Sequence, residues 1–248
     1  MIDSVRNSVL ALLNKHNYGS IPVADFNEYA KMSQMDIFLG LFENYKDVIN
    51  MENRRMSGTG EADMRRAIEE AIDIFTVTRN LNRDTDNIFD MPSLATTGSK
   101  SYKINEILVY DVNGAIKTFL NTSDYISKSK LEMLKISNLS LPTKVFPAHY
   151  IEGTKLTMFP ETINVDGAVE AEYVRFPLDP KWTFVSLSGG EPIFNASAND
   201  YQDFELPSEY YTKLIFKILQ YTGLSIREAD VVQYVKAGEA ADLMEKNS

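Results

Sequence analysis

Val5, Val9, Leu12 and Leu13 recur at intervals of three and four between Ser4 and Lys15, which predicts a short helix that Asn17-Tyr18-Gly19 stops. Pro22, suited to a first helical turn, opens a longer helix running to about Arg55. Phe26, Ala30, Ile37, Leu41 and Val48 recur on one side of it, with Tyr29, Phe38, Phe42, Tyr45 and Ile49 beside them, so its apolar stripe is wide. At 1.5 Å per residue, about 33 residues give a rod of roughly 50 Å. Gly40 interrupts the rod and marks a bend or a close crossing. After the loop Ser57-Gly58-Thr59-Gly60, a third helix spans Glu61 to Phe75, with Met64, Ala67, Ile68, Ala71, Ile72 and Phe75 inward.

The texture changes after Thr76. Thr85 to Lys103, rich in Asp, Ser, Thr and Gly, reads as a loop, and Ile104 to Asp111 reads as a strand. Asn113-Gly114 is a hairpin signal with Ala115 to Phe119 returning. Ser123 to Ser137 looks helical through Ile126, Leu131 and Leu134. A meander of short strands follows: Ala148 to Ile151, Lys155 to Phe159, Val169 to Phe176 and Trp182 to Leu187. Turns sit at Glu152-Gly153, Asp166-Gly167, Leu178-Asp179-Pro180 and Ser188-Gly189-Gly190. Helix returns from Glu209 to Tyr221 behind Pro207-Ser208, and Gly223 is placed to cap it. Ser225-Ile226-Arg227-Glu228 is a capping box for a last helix through Ala229, Val232, Val235 and Ala240.

This order predicts an α+β fold: an amino-terminal helical bundle with a long helix, a central mixed β-rich part, and two carboxy-terminal helices. The length suits one large domain or two closely packed subdomains, and the chain is read as a single compact unit over 1–248, with parts at about 1–75, 76–206 and 207–248. With 44% apolar and 24% charged residues the usage is globular and not that of a disordered tail.

Charge narrows the partners. Twenty-five Lys and Arg against 35 Asp and Glu leave a net −10, which repels a phosphate backbone unless the cations cluster. The densest basic groups, Arg54-Arg55, Arg65-Arg66 and Lys128/Lys130, are each flanked by acids, so tightly held nucleic acid is not expected. The absence of cysteine excludes disulfides and thiolate chemistry. No signal peptide and no apolar run of about 20 residues is read, so a soluble protein made in a cytoplasm, without membrane contact, is expected.

Candidate chemistry is thin. His16 ends a helix beside Lys15, where a cation complements the dipole. His149 and Glu152, three apart in a strand, point to opposite faces and cannot share a metal. Ser57 to Gly60 lacks the Lys of a phosphate loop and is followed by Glu61 and Asp63. Asp111-Val112-Asn113-Gly114 lacks the later ligands of a calcium loop and reads as a turn. Glu170/Glu172 are a same-side carboxylate pair, as are Asp84/Asp86 if that stretch is extended, and such pairs are expected by chance among 35 acids. No catalytic, metal or cofactor residue is assigned. The 13 Tyr and 13 Phe say more: the rod is apolar over a wider arc than a short helix pair covers, which points to self-association.

Three stretches carry a resemblance: MIDSVRNSVLALLNKHNYGSIPVADFNEYAK at the start, EAEYVRFPLDPKWTF in the centre and DFELPSEYYTKLIFKILQYTGLSIREADV near the end. Together, in this order, they resemble the neck (head-to-tail connector) ring proteins of crAss-like and related podovirus-type bacteriophages. The likeness covers most of the chain and is thinnest between Thr76 and Lys103. It departs from the family at Ile21, where a capping Thr is usual before the long helix, so the exact start of that helix is in doubt. The resemblance implies a virion protein stacked as a homo-oligomeric ring, commonly twelvefold, between portal and tail, with terminal helices docking on the neighbouring ring. DNA is then only passing cargo through an axial channel, which an acidic surface suits, and the family pattern carries no catalytic residues. The alternatives are another virion interaction module (a tail-tube or baseplate adaptor) and a carboxylate-pair virion hydrolase acting on glycans.

Overall fold

A computed structural model of the chain describes residues 1–15, 21–53, 61–93, 100–114, 116–136, 139–186 and 192–226. The fold is α+β, as the sequence pattern predicts, but the chain divides into two compact units. One holds residues 1–74 together with everything from Pro177 onward; the other is Phe75–Phe176. Residues 177–206, read as a continuation of the β meander, belong with the helices. Among the described residues no helix is long and apolar enough to cross a membrane.

The helical unit begins with α1 (Ile2–Lys15) and α2 (Val23–Asn53), continues through α3 (Glu61–Asp73), and closes with α5 (Tyr211–Ile226). α1 buries Ile2, Val5, Val9 and Leu13, and it packs on α5. α2 packs on both α3 and α5, burying Phe26, Ala30, Ile37, Phe38, Leu41 and Val48. Tyr29 stacks on Tyr221 with centroids 6.5 Å apart, and the Tyr45 hydroxyl donates to Glu69 at 3.1 Å. The broad stripe expected to await sister copies is thus largely covered by this chain's own helices; of the large apolar side chains on α2, Met32 and Leu39 stay exposed. Gly40 marks no close crossing, because a Cβ there meets nothing within 4 Å. On α3, Ile68 and Ala71 are inward as expected, but Ala67 is exposed, and the side chain of Met64 lies outside the described residues.

Residues 177–206 join this unit through two side-chain amides on α2. Asn27 donates from Nδ2 to the Trp182 carbonyl at 3.2 Å and accepts from the Trp182 N–H at 2.9 Å. Two turns on, buried Gln34 donates to the Leu178 carbonyl at 2.7 Å and accepts from the Glu205 N–H at 3.0 Å. Within the segment, β10 (Phe184–Ser186) and β11 (Pro192–Phe194) form an antiparallel hairpin, and a 3-10 turn at Ser208–Tyr210 leads into α5. Gly223 does not cap α5: the helix runs on to Ile226, with Gly223 buried inside it. Ser225 and Ile226 therefore end a helix instead of starting one, and the predicted last helix lies outside the described residues.

The β unit contains two sheets around one core. The first has the order β1 (Thr76–Asn80), β9 (Val169–Arg175), β4 (Ser101–Asn113), β5 (Ile116–Thr122). The second has the order β2 (Arg83–Thr85), β3 (Ile88–Asp90), β8 (Lys155–Phe159), β7 (Ala148–Glu152), β6 (Asp124–Tyr125). All pairings are antiparallel except β6 with β7. Ile107, Val109 and Tyr173 from the first sheet meet Phe89, Leu156 and Met158 from the second. The hairpin at Asn113-Gly114 and the turn at Gly153 form as predicted, with φ of +64° and +63° at the two glycines. Within the predicted loop Thr85–Lys103 lie β3, the last residue of β2 and the first residues of β4; β1 and β2 are short and mostly exposed, so they lack the alternation that marks a strand. The predicted helix from Ser123 is shorter. Asp124–Tyr125 pair with β7, and α4 (Lys128–Lys135) starts after Ser127, whose hydroxyl accepts from the Lys130 N–H.

Gln34→Leu keeps the side-chain volume but leaves the Leu178 carbonyl and the Glu205 N–H without their partner. Urea unfolding is expected to show a loss of about 2–4 kcal/mol. Gly40→Ala, in open space within a helix, is expected to raise the urea midpoint by the equivalent of about 0.5–1 kcal/mol.

Candidate interaction surface

Most of the residues singled out for chemistry have structural partners where they are described. His149 is buried in β7, with Nδ1 2.9 Å from the Ser123 hydroxyl and its ring edge-on to Tyr125. Burial pushes its pKa down to about 4, outweighing the opposing pull of Asp124 and Ser123, so the ring is neutral near pH 7. Glu170 accepts from Lys117 Nζ at 2.6 Å, and Glu172 accepts from Asn105 at 3.4 Å. Asp84 and Asp86 are not a same-side pair: Asp84 shares Lys155 with Asp90, whereas Asp86 sits in a turn at φ +44°. The hydrogen bonds to Asp90 and Asp84 raise Lys155 above its ordinary pKa. Asp111 lies at the expected hairpin, where it accepts from Asn113 and pairs with Lys144 at 3.6 Å. His16 and Ser57–Gly60 lie outside the described residues. Among the described residues no three His, Cys, Asp or Glu side chains converge as metal ligands.

A polar hollow of about 350 Å³ in the β unit is edged by Asn80, Asn82, Asp90 and Glu170. Both of its acids are held in the ion pairs just described, Asp90 by Lys155 and Glu170 by Lys117.

What the structure does leave open is apolar. In the β unit, the end of α4 and the segment after it expose Met133, Ile136, Leu139, Leu141, Val145 and Phe146; Ile136 is 86% exposed and Leu139 99%. Leu131 on the other side of α4 is buried with Ile126, Ala148 and Phe159, so the helix is anchored while Met133 and Ile136 face out. The Asn121 amide donates to the Val145 carbonyl at 2.7 Å and ties the segment to β5, where Phe119 is also exposed. Six large apolar side chains left in water within 14 residues form a patch of the kind that marks a protein contact.

The helical unit has a second apolar opening. A hollow of about 550 Å³ lies between the first turns of α2 and the β10–β11 hairpin, lined by Val23, Ala24, Asn27, Trp182, Phe184 and Pro192. Its floor is rigid. Trp182 stacks against Phe184 and Phe194 at 5.9 and 5.8 Å, its indole N–H donates to Asp3 at 2.9 Å, and the Arg6 guanidinium lies 4.0 Å from its ring. Phe184, Val185 and Ile193 remain exposed on the hairpin. Sequence reasoning missed both places. Their one signal is that these apolar residues follow neither a helical nor an alternating period, so no element has a face on which to bury them.

Compared with models of known protein families and with curated proteins, the chain matches none.

The His149 pKa sets a pH dependence with a definite sign. The unfolded chain binds the proton at the ordinary value near 6.5 and the folded chain only near 4, so stability is full above about 6.5 and is lost as pH falls toward 4. Urea unfolding of the native chain is expected to lose on the order of 2–3 kcal/mol across that window. In His149→Leu that slope should vanish, at the cost of a lower stability near pH 7.

Proposed function

We propose that the chain is a structural virion protein that forms an oligomeric ring in the neck of a phage particle, joining portal to tail around a channel for DNA. The observation that carries the reading is the pair of exposed apolar openings, one on each unit. A surface of this kind suits lasting contact with other proteins. Residue by residue, the three stretches that resemble neck ring proteins include the parts that build the helical unit: α1 with the start of α2, the Trp182 segment, and α5. The net charge of −10 lets DNA pass without sticking.

The covered face of α2 changes how the ring would close. Its contacts fall to the segment around Met133–Phe146 and to the β10–β11 hairpin, and not to the rod. A tail-tube or baseplate adaptor would use the same surfaces at another place in the particle.

A density map of the intact particle is expected to show twelve copies of this chain at the joint between portal and tail, and the purified chain is expected to assemble when purified portal is added. Density for the chain in the tail tube or baseplate, with no response to portal, would assign it to the alternative.

A further inference from the structure

We infer that the guanidinium of Arg6, stacked on Trp182 in the helical unit, is a binding point for a carboxylate from outside the chain. The inference stands on the helical unit alone and does not rest on the neck reading. Arg6 lies in the second turn of α1 and is only 8% exposed. Its guanidinium lies over the Trp182 ring at 4.0 Å and 6.0 Å from the ring of Phe26. Among the described residues it makes no hydrogen bond and no ion pair, and its Nε is buried without an acceptor. A buried donor left unpaired costs free energy, and a charged one costs most.

The natural partner is occupied elsewhere. Asp3 stands three residues before Arg6 on the helix, a spacing that suits an ion pair. Its Oδ1 instead accepts from the Trp182 indole N–H at 2.9 Å, and its Oδ2 accepts from the Asn7 amide at 3.2 Å. Cations close by in the chain are matched already: the α-amino group of Met1 pairs with Asp203 at 2.7 Å, and Lys181 with Asp200 at 2.6 Å. Burial holds the Arg6 pKa below its ordinary value against the opposing pull of Asp3, and a guanidinium still keeps its charge near pH 7. With its flat face on the indole, the group keeps its N–H edge for a planar, two-pronged acceptor. Water supplies acceptors but no charge, whereas a carboxylate supplies both. Asp3 disfavours the second negative charge of a phosphate, so the singly charged carboxylate is the better fit.

Trp182 is the only tryptophan of the chain, so tryptophan emission reports on this place alone. The full-length protein is titrated with sodium acetate, with sodium phosphate and with a blocked peptide carrying one glutamate, each against sodium chloride at equal ionic strength. Acetate and the peptide are expected to change the emission saturably and to raise the melting temperature, as ligands of the folded state do. Arg6→Met keeps an unbranched side chain over the ring without the charge, and it should weaken both responses by at least about tenfold. Its melting temperature without ligand should not fall, because no hydrogen bond or ion pair is lost. Should Arg6→Met fail to fold, Arg6→Lys replaces it: the charge stays, the two-pronged edge goes, and the same responses should weaken. Tighter binding of the peptide assigns the carboxylate to an acidic side chain of a partner, and tighter binding of acetate to a free acid. Responses no larger than those to chloride, a stronger response to phosphate than to acetate, or acetate binding unchanged in the folded variant overturn the inference. So does a fall in the melting temperature of folded Arg6→Met while the native chain ignores every carboxylate, which leaves Arg6 a purely structural stack.

Discussion

The helical unit depends on α2 serving as a template for residues 177–206, whose described regular structure is one hairpin of three-residue strands. Asn27 and Gln34 stand seven residues apart, hence on one side of the helix, and each presents a donor and an acceptor to the backbone of residues 178–205. An irregular segment laid against a helix has main-chain groups that neither water nor a sheet can satisfy, and burying them unpaired costs about 1–3 kcal/mol each. The two amides meet four of those groups, and Glu205 meets a fifth by accepting from the Leu178 N–H at 2.7 Å. With the segment held, Trp182 is fixed between Asp3, Arg6, Phe184 and Phe194, and the hollow beside it has a rigid floor.

That template also decides which apolar surface remains for other molecules. Packing of α3, α5 and the Trp182 segment uses up the wide stripe of α2, so the longest helix in the chain is an internal strut. The exposed apolar residues sit where geometry prevents them from turning inward. Met133 and Ile136 lie opposite the buried Leu131 on a helix too short to wrap, and Val185 and Ile193 face each other across a hairpin of three-residue strands. Exposure of this kind costs the isolated fold little and is recovered when a partner covers it.

In the β unit, polarity is resolved locally. Lys117 bridges Asn80 and Glu170 across three strands of the first sheet, and Lys155 does the same for Asp84 and Asp90 in the second. These pairs are exposed and contribute little to stability, but they set the register of short edge strands whose side chains bury almost nothing. Entry and exit of the chain are pinned side by side by the Arg175 N–H donating to the Phe75 carbonyl at 2.9 Å, which lets the unit be inserted between α3 and the Trp182 segment.

The sequence by itself determined the elements whose signal is local. The helical periods of α1, α2, α3 and α5, the strands β7, β8 and β9, and the turns at Gly114, Gly153 and Gly167 follow from side-chain spacing or from a φ that glycine tolerates. Of the site, it determined the opposition of His149 and Glu152 in one strand, but not the surface itself. Tertiary structure alone decided that residues 177–206 belong with α2, that the aromatic stripe is covered from within, and that Gly223 lies inside a helix. The physical reason is distance along the chain. The bonds that settle these matters join residues 144, 155 and 171 positions apart, and no window of sequence contains both ends. Which apolar residues stay outside is a remainder left after all such pairings are made, so it can be read only once the chain is folded.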